Sequence, residues 1–292
     1  MTTQPQPRVR LNDHRKGLLI TGIGAFLMTF DIPLVRLAHS DEWTVVYVRG
    51  LCVFFVMLGY WFWTHYRRGN QVPFINGIEG FAAAATFAVT NISFMTAIHH
   101  TSAANAVFIL AFAPLFAAIL SRIFLAEPVR RHTWLAIAVA IVGVLIIATS
   151  GLGTGHLFGD LMALIAATSL ACSLTIMRWS GKDMTFSPGF GSLLTAIVAV
   201  WFADPFSLNL TQVSLLGFNS LLIMPISLGL LALGTRYISA PEVAMLMLLD
   251  SFLAPVWVWL VIGEIPTTQG LIGGAIVVSA ILAHSYIQAK RA

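Results

Sequence analysis

The residues of this chain that could do chemistry stand where their presence is most costly. Asp31 and Asp250 interrupt long apolar runs. Counted from Gly17 at about 1.5 Å per residue, Asp31 lies about 21 Å into its run, and Asp250 is similarly deep. An ionisable group at that depth in a bilayer is a functional candidate by default. It can equally pair with Arg36, Arg49 or a backbone group and simply lock helices together. Glu79 and Glu242 lie only one or two turns from the starts of their runs, where a bracing role is the simpler reading.

Phe87, Thr90, Asn91 and Phe94 recur at helical spacing on one side of the third apolar run, after Glu79 and Ala83. A small zwitterion with a hydrophobic tail needs polar groups for its ends and rings for its side chain, and this face offers both. Asn105, Phe108 and Phe112 form a similar face on the fourth run, and Met247 supplies thioether surface on the ninth. The alternative for each is helix–helix packing, in which a carboxamide pairs across an interface. Pro33, Pro114, Pro225 and Pro255 fall within runs. Each removes a backbone donor and bends its helix, and the freed carbonyls are tolerated only against protein or a cavity. These four are candidate hinges, or purely architectural kinks.

The elements that position these groups follow from composition. Of 292 residues, 58% are hydrophobic and 10% charged, against about 25% charged in a soluble domain. Crossing hydrocarbon takes about 20 helical residues. The chain offers ten such runs: 17–38, 43–64, 73–98, 102–125, 132–150, 157–179, 188–204, 213–235, 239–262 and 267–288. Pro73, Pro188, Pro241 and Pro266 open runs, where a missing donor costs nothing. Residues 2–12 are expected to be disordered, and the first run is expected to be an uncleaved helix. Of the 16 Lys and Arg, all but Arg36, Arg49 and Arg122 fall in loops or tails that share one side if the termini do. Asp41, Glu42, Asp204 and Glu264 fall on the other side. That is the positive-inside pattern, so both termini are expected in the cytoplasm. The net charge of +4 then needs no nucleic-acid partner.

The sequence also repeats. A shift of 137 residues lays Ser102 on Ser239, Ala103 on Ala240, Glu127 on Glu264 and Ala138 on Ala275, while a shift of 142 lays Arg36 on Arg178. Two units of five helices each, an odd number, must be inverted relative to one another, the architecture of many secondary transporters. The expected fold is all-α: ten transmembrane helices as two inverted five-helix repeats around a central cavity. Residues 1–16 and 289–292 are tails, 17–150 the first repeat and 151–288 the second.

Ala113-Pro114 followed by Leu125-Ala-Glu-Pro128, and Asp250 followed by Ile262-Gly-Glu-Ile-Pro266, each before a Gly/Ala-rich closing helix, resemble the EamA repeat of the drug/metabolite transporter superfamily. Arg49, at the start of the second run, matches a basic position common there. Ser251 stands where the first unit has Pro114, so the second kink is expected to be displaced toward Pro255. Within the superfamily the chain is most similar to YddG-like exporters of aromatic and other amino acids. The resemblance implies export of neutral amino acids across a bacterial-type inner membrane by alternating access.

Other classes have less support. A transporter of nucleotide-derived or sugar-linked metabolites needs several deep cations, and only Arg49 is so placed. A channel needs a filter or charge rings, and an enzyme needs a catalytic cluster. Neither pattern is present, nor is a phosphate-binding loop that would couple ATP. His99 and His100 are adjacent and point apart, which disfavours a shared metal, and no cofactor is expected. Gly270 and Gly274, with Ala275, Ser279 and Ala283, give the tenth run a close-packing face. It is expected to be scaffold, or an oligomer contact if the protein is not a monomer.

Single cysteines at positions 67, 130, 182 and 290, on a background without Cys52 and Cys172, should resist an impermeant thiol reagent in intact cells. Those at 42, 153, 209 and 264 should react. Labelling at position 130 overturns the inverted arrangement.

Overall fold

The structure, a computed structural model, describes residues 11–69, 72–101, 103–127, 129–149, 157–263 and 268–291. Its helices are α1 (Leu11–Met28), α2 (Asp31–Ala38), α3 (Glu42–Arg68), α4 (Gly77–His100), α5 (Ala103–Leu110), α6 (Ala113–Phe124), α7 (Arg131–Thr149), α8 (Leu157–Ser180), α9 (Ser187–Ala199), α10 (Leu210–Phe218), α11 (Met224–Gly234), α12 (Ala240–Met247), α13 (Leu249–Ile262) and α14 (Thr268–Arg291). The described residues contain no strand. Among the described residues, six stretches are long and apolar enough to cross a membrane: His14–Ala38, Glu42–Arg67, Gly77–Ala97, Leu157–Ser180, Leu210–Gly234 and Ala240–Val261. Phe108–Phe124, Arg131–Ile146, Ser187–Ala199 and Thr268–His284 are shorter apolar helices. Large apolar side chains such as Phe55, Phe62, Ile123, Leu135 and Trp201 are exposed on the outer surface. A skin of that kind is tolerable only in lipid, so the chain is a polytopic integral membrane protein.

Several boundaries differ from the sequence expectation. The first helix starts at Leu11, inside the segment expected to be disordered. The third does not start at Pro73. Gly77 has φ +67°, a left-handed backbone that a helix cannot continue through, and Asn76 donates a hydrogen bond to the carbonyl of Asp183. Residues 72–76 therefore form a pinned connection. The seventh helix ends at Ala199 rather than near residue 204. Pro188 and Pro241 do lie in first helical turns. Pro266, Glu264 and the expected boundary between halves at 150 and 151 lie outside the described residues.

Four long apolar segments are interrupted, and the chemistry of each interruption is local. Between α1 and α2, Thr29 and Phe30 donate to carbonyls three residues back (3.1 and 3.2 Å), and Pro33 has no N–H to offer the carbonyl of Thr29. Between α5 and α6, Phe112 donates to Ile109 (3.1 Å), and Pro114 withholds the donor due to Leu110. Before α11, Asn219–Ile223 opens into a π-helical turn just ahead of Pro225. Between α12 and α13 the break falls at Leu248, and Pro255 lies inside α13. The expected displacement toward Pro255 does not occur. The amide of Ser251, aligned with Pro114, turns to the carbonyl of Leu248 (3.1 Å), so it leaves the regular ladder where proline lacks a donor altogether.

The principal packing pairs are α4 with α8, α7 with α14, α3 with α9, α1 with α11, α6 with α8 and α12, and α4 with α9. Small residues make the crossings close. A Cβ added to Gly143 of α7 would lie 2.7 Å from the carbonyl oxygen of Gly273 on α14, and Gly274 abuts the ring of Phe252. The close-packing face expected on the last helix is thus used within the chain, against α7 and α13. Gly143→Val should lower the melting temperature in detergent by the equivalent of roughly 1–3 kcal/mol, the usual cost of overpacking. Gly59→Ala, where an added Cβ meets nothing within 4 Å, should not. Equal melting of both variants counts against this seam.

Candidate functional site

Where α1 gives way to α2, the backbone turns and Asp31 becomes the first residue of the new helix, with its carboxylate at the end where amide dipoles favour negative charge. Its Oδ2 accepts from Arg49 Nη1 of α3 at 2.8 Å. Its Oδ1 accepts from the amide of Asn219, the first residue of the π-helical turn, at 2.5 Å. Asn219 is fully buried, and the Asp31 and Arg49 side chains are 15% and 20% exposed. Three interrupted or crossing segments therefore converge on one ion pair.

Arg49 also faces a narrow cleft lined by Val46, Phe87, Asn91, Ser192, Thr195 and Met224. Most hydrogens of this lining are committed locally. Asn91 donates to the carbonyl of Phe87 (2.9 Å), Ser192 to Pro188 (2.8 Å) and Thr195 to Gly191 (3.0 Å). Arg49 thus joins the cleft to Asp31. A cation with an acid on one side and a carboxamide and ring on the other can hold the carboxylate of a small solute while the ring meets its apolar part.

Next to Asp31, Trp257 of α13 donates its indole N–H to Thr29 Oγ1 (2.9 Å), and Thr29 in turn donates to the carbonyl of Phe26 (2.7 Å). The indole stacks on Phe30 with centroids 4.7 Å apart, and Phe26 meets both rings edge-on. This aromatic group fastens the interruption that presents Asp31. Asp250 is the second residue of α13, just past the Leu248 break. Its Oδ1 is buried and accepts no hydrogen bond from a described residue.

The residues singled out from the sequence are thus divided. Phe87 and Asn91 share the cleft with Arg49, while Asp31 joins Arg49 and Asn219. Thr90 is buried and bonds the carbonyl of Thr86. Phe94 packs among Ala97, Ala106 and Ala163. Phe108 and Phe112 contact each other edge-on at 5.3 Å, and Phe108 and Met247 rest on the largest core cluster. The side chain of Asn105 lies outside the described residues, as does that of Pro255. Asn219, Trp257, Ser192 and Thr195 join the site without having been picked out from the sequence. Asn219 was detectable, as a carboxamide in the middle of an apolar run.

Ion pairs gather at the end of the bundle that bears the basic loops. Arg178 binds Glu127 (3.0 Å) and the carbonyl of Arg236 (3.1 Å), Lys182 binds Glu79 (3.2 Å), and Glu242 forms a capping box with Ser239 while meeting His14 (3.2 Å). The bracing role expected of Glu79 and Glu242 is the one these side chains have here, and Glu127 has it too. At the other end, Glu42 pairs with His99 (2.9 Å), which stacks over Trp43.

A helical membrane bundle with broken helices around a buried ion pair is the class that this architecture defines. Residues 15–149, just under half of the chain, match the model of the EamA-like transporter family. An uncharacterized transporter, YdfC, of Bacillus subtilis (strain 168) is 29% identical over 177 residues, 58% of this chain and 58% of that protein. The aligned stretch is thus less than two thirds of that relative. A solved crystal structure of a protein shares the fold at 13% identity with a TM-score of 0.78, over 93% of this chain and 99% of that one.

Arg49→Met should strand Asp31 in a low-dielectric site and lower the melting temperature, as breaking a buried pair costs about 3–5 kcal/mol. Asp31→Asn with Arg49→Met should recover most of the loss. A double variant as unstable as the single one argues against the pairing.

Proposed function

We propose that this chain is a secondary transporter that exports neutral amino acids, aromatic ones included, across a bacterial-type inner membrane by alternating access. Both termini lie in the cytoplasm, and the helices form two inverted five-helix repeats. The packing pairs support the repeat. If the two halves are exchanged, α4 on α8 becomes α11 on α1, while α3–α9 and α7–α14 map onto themselves. The interruptions at Phe112 and Leu248 also fall at positions related by the 137-residue shift, within one residue.

The observation that carries the substrate class is the Asp31–Arg49 pair beside the Phe87–Asn91 cleft. It offers one acid and one base near the level where helices break, which are the complements of an ammonium and a carboxylate. The aromatic and aliphatic lining discriminates among apolar side chains by only about 1–3 kcal/mol, so a broad range of neutral amino acids follows. An acidic side chain finds no second cation. The interruptions give four of the long segments a joint about which their halves can swing.

Counterflow into proteoliposomes tests this reading. Labelled phenylalanine, methionine and threonine should exchange, with glutamate at least about tenfold slower, the factor that about 1.4 kcal/mol supplies. Glutamate carried as well as phenylalanine, or no exchange of any of the four, overturns it.

A further inference from the structure

Asp31 and Asp250 are two carboxyl groups in the membrane interior, and their situations are opposite. Both oxygens of Asp31 are occupied, by the Arg49 guanidinium and the Asn219 amide. Oδ1 of Asp250 is buried without a donor, and no described cation pairs with the group. The ionisable residues on the elements packed against α13 explain why. On α2 they are Asp31, already paired, and Arg36, five residues further toward the end of its helix. α1 and α12 carry theirs in the opening turns (His14 to Lys16, and Glu242), and α14 has none from Thr268 to Ala283, its His284 being bonded to Thr133. The charge that acts on Asp250 is the negative one of Asp31. With both acids ionised, Asp31, Arg49 and Asp250 sum to one negative charge in a low-dielectric interior. An isolated ionised carboxylate there is costly by several kcal/mol, and the cluster is short by one positive charge.

We propose that Asp250 is the coupling-ion site of the transporter, and that the positive charge it lacks is supplied alternately by a proton and by the ammonium group of the substrate. This rests on the transport reading above and adds its energy source. In the exchange, the carboxylic acid of Asp250 releases its proton to water on the side open to solvent as the substrate's ammonium takes its place, one proton out for each substrate bound. Asp250 itself faces one positive charge in both states, while the carboxylate that the zwitterion also brings is met by the Arg49 guanidinium. Reorientation with Asp250 bare carries the uncompensated charge and is slow. Binding and proton loss are therefore linked, and a proton gradient directed inward drives amino acid outward. The place of Asp250 at the start of a half-helix puts the exchange beside an interruption able to move.

The test uses the full chain in detergent, with L-phenylalanine as the probe. Affinity is followed by intrinsic tryptophan fluorescence across roughly pH 6–9, and proton release by calorimetry in buffers of different ionisation enthalpy. The wild type should release about one proton per phenylalanine, and its apparent Kd should rise as pH falls, approaching about tenfold per pH unit where Asp250 holds the proton. Asp250→Asn should release none and show a flat profile, and Asp250→Glu should restore the slope. Should Asp250→Asn fail to fold, the wild-type proton count decides alone. Wild-type binding without proton release, or an affinity that follows sodium rather than pH, overturns the coupling site and leaves the transport reading standing. No phenylalanine binding at any pH overturns the transport reading, and the coupling site with it.

Discussion

The Asp31–Arg49 contact sets conditions that much of the surrounding chain exists to meet. A guanidinium on α3 is untenable in hydrocarbon without a partner, and Asp31 can serve only because α1 stops short of it and α2 starts with it. That stop needs Pro33, whose absent N–H leaves the ladder open, and it needs Thr29 and Trp257 to occupy the groups exposed by the turn. The second oxygen of Asp31 is met by Asn219. The wide π-helical turn that Asn219 opens, just before Pro225, displaces the side chains of that segment relative to a regular helix. One ion pair thus accounts for two of the four interruptions, and for the aromatic cluster over one of them.

Close approach makes this possible. Helices in lipid gain little from burying large apolar groups against one another, since the surroundings are as apolar as the groups themselves. The interior is accordingly built from small residues. Ala83, Ala84, Ala106, Ala117, Ala163 and Ala167 are almost wholly buried, and a Cβ at Gly50, one residue from Arg49, would lie 2.6 Å from the carbonyl of Ser192. Backbones that close leave room for a few polar side chains and little else, while the large side chains turn to the bilayer. A narrow cleft lined by Arg49, Asn91 and Phe87 is what such packing permits. It also means that opening the cleft requires segments to move, not side chains alone.

How legible this was from sequence depended on the kind of signal. Length and hydropathy mark the apolar runs well, because an unpaired backbone in lipid forces helices of a fixed span. Deep charges are also plain, since their cost makes them rare, and Asp31, Arg49 and Asp250 all stood out. Facing was much harder. In a soluble helix the polar side names the surface, but here lipid and protein interior are both apolar, so the stripe through Phe87, Thr90, Asn91 and Phe94 did not reveal which members share an environment. Phe87 and Asn91 reach the cleft, while Phe94 packs among alanines. Proline marked three interruptions but not the one at Leu248, where an ordinary serine amide turns to a nearer carbonyl. Trp257 was invisible for a similar reason, as its role comes from a partner 228 residues away.

If the two halves are the proposed repeats, they divide the chemistry unequally. Under the shifts that align them, Asp31 falls on Ser173 and Arg49 on Gly191, while Asp250 falls on Ala113. Ser173 only donates to the carbonyl of Ala83 (2.9 Å), and Gly191 and Ala113 lie in tight helix contacts. A strictly repeated sequence would present the charged cluster twice, once toward each membrane face, and a solute would have two sites of equal standing. Here the positions that form the cluster in one half are packing positions in the other. The joints at Phe112 and Leu248 persist in both. On the proposed inverted arrangement, the shared joints would give two related ways of swinging the helices, and the asymmetry of the side chains would leave one place for a solute to be held while they swing.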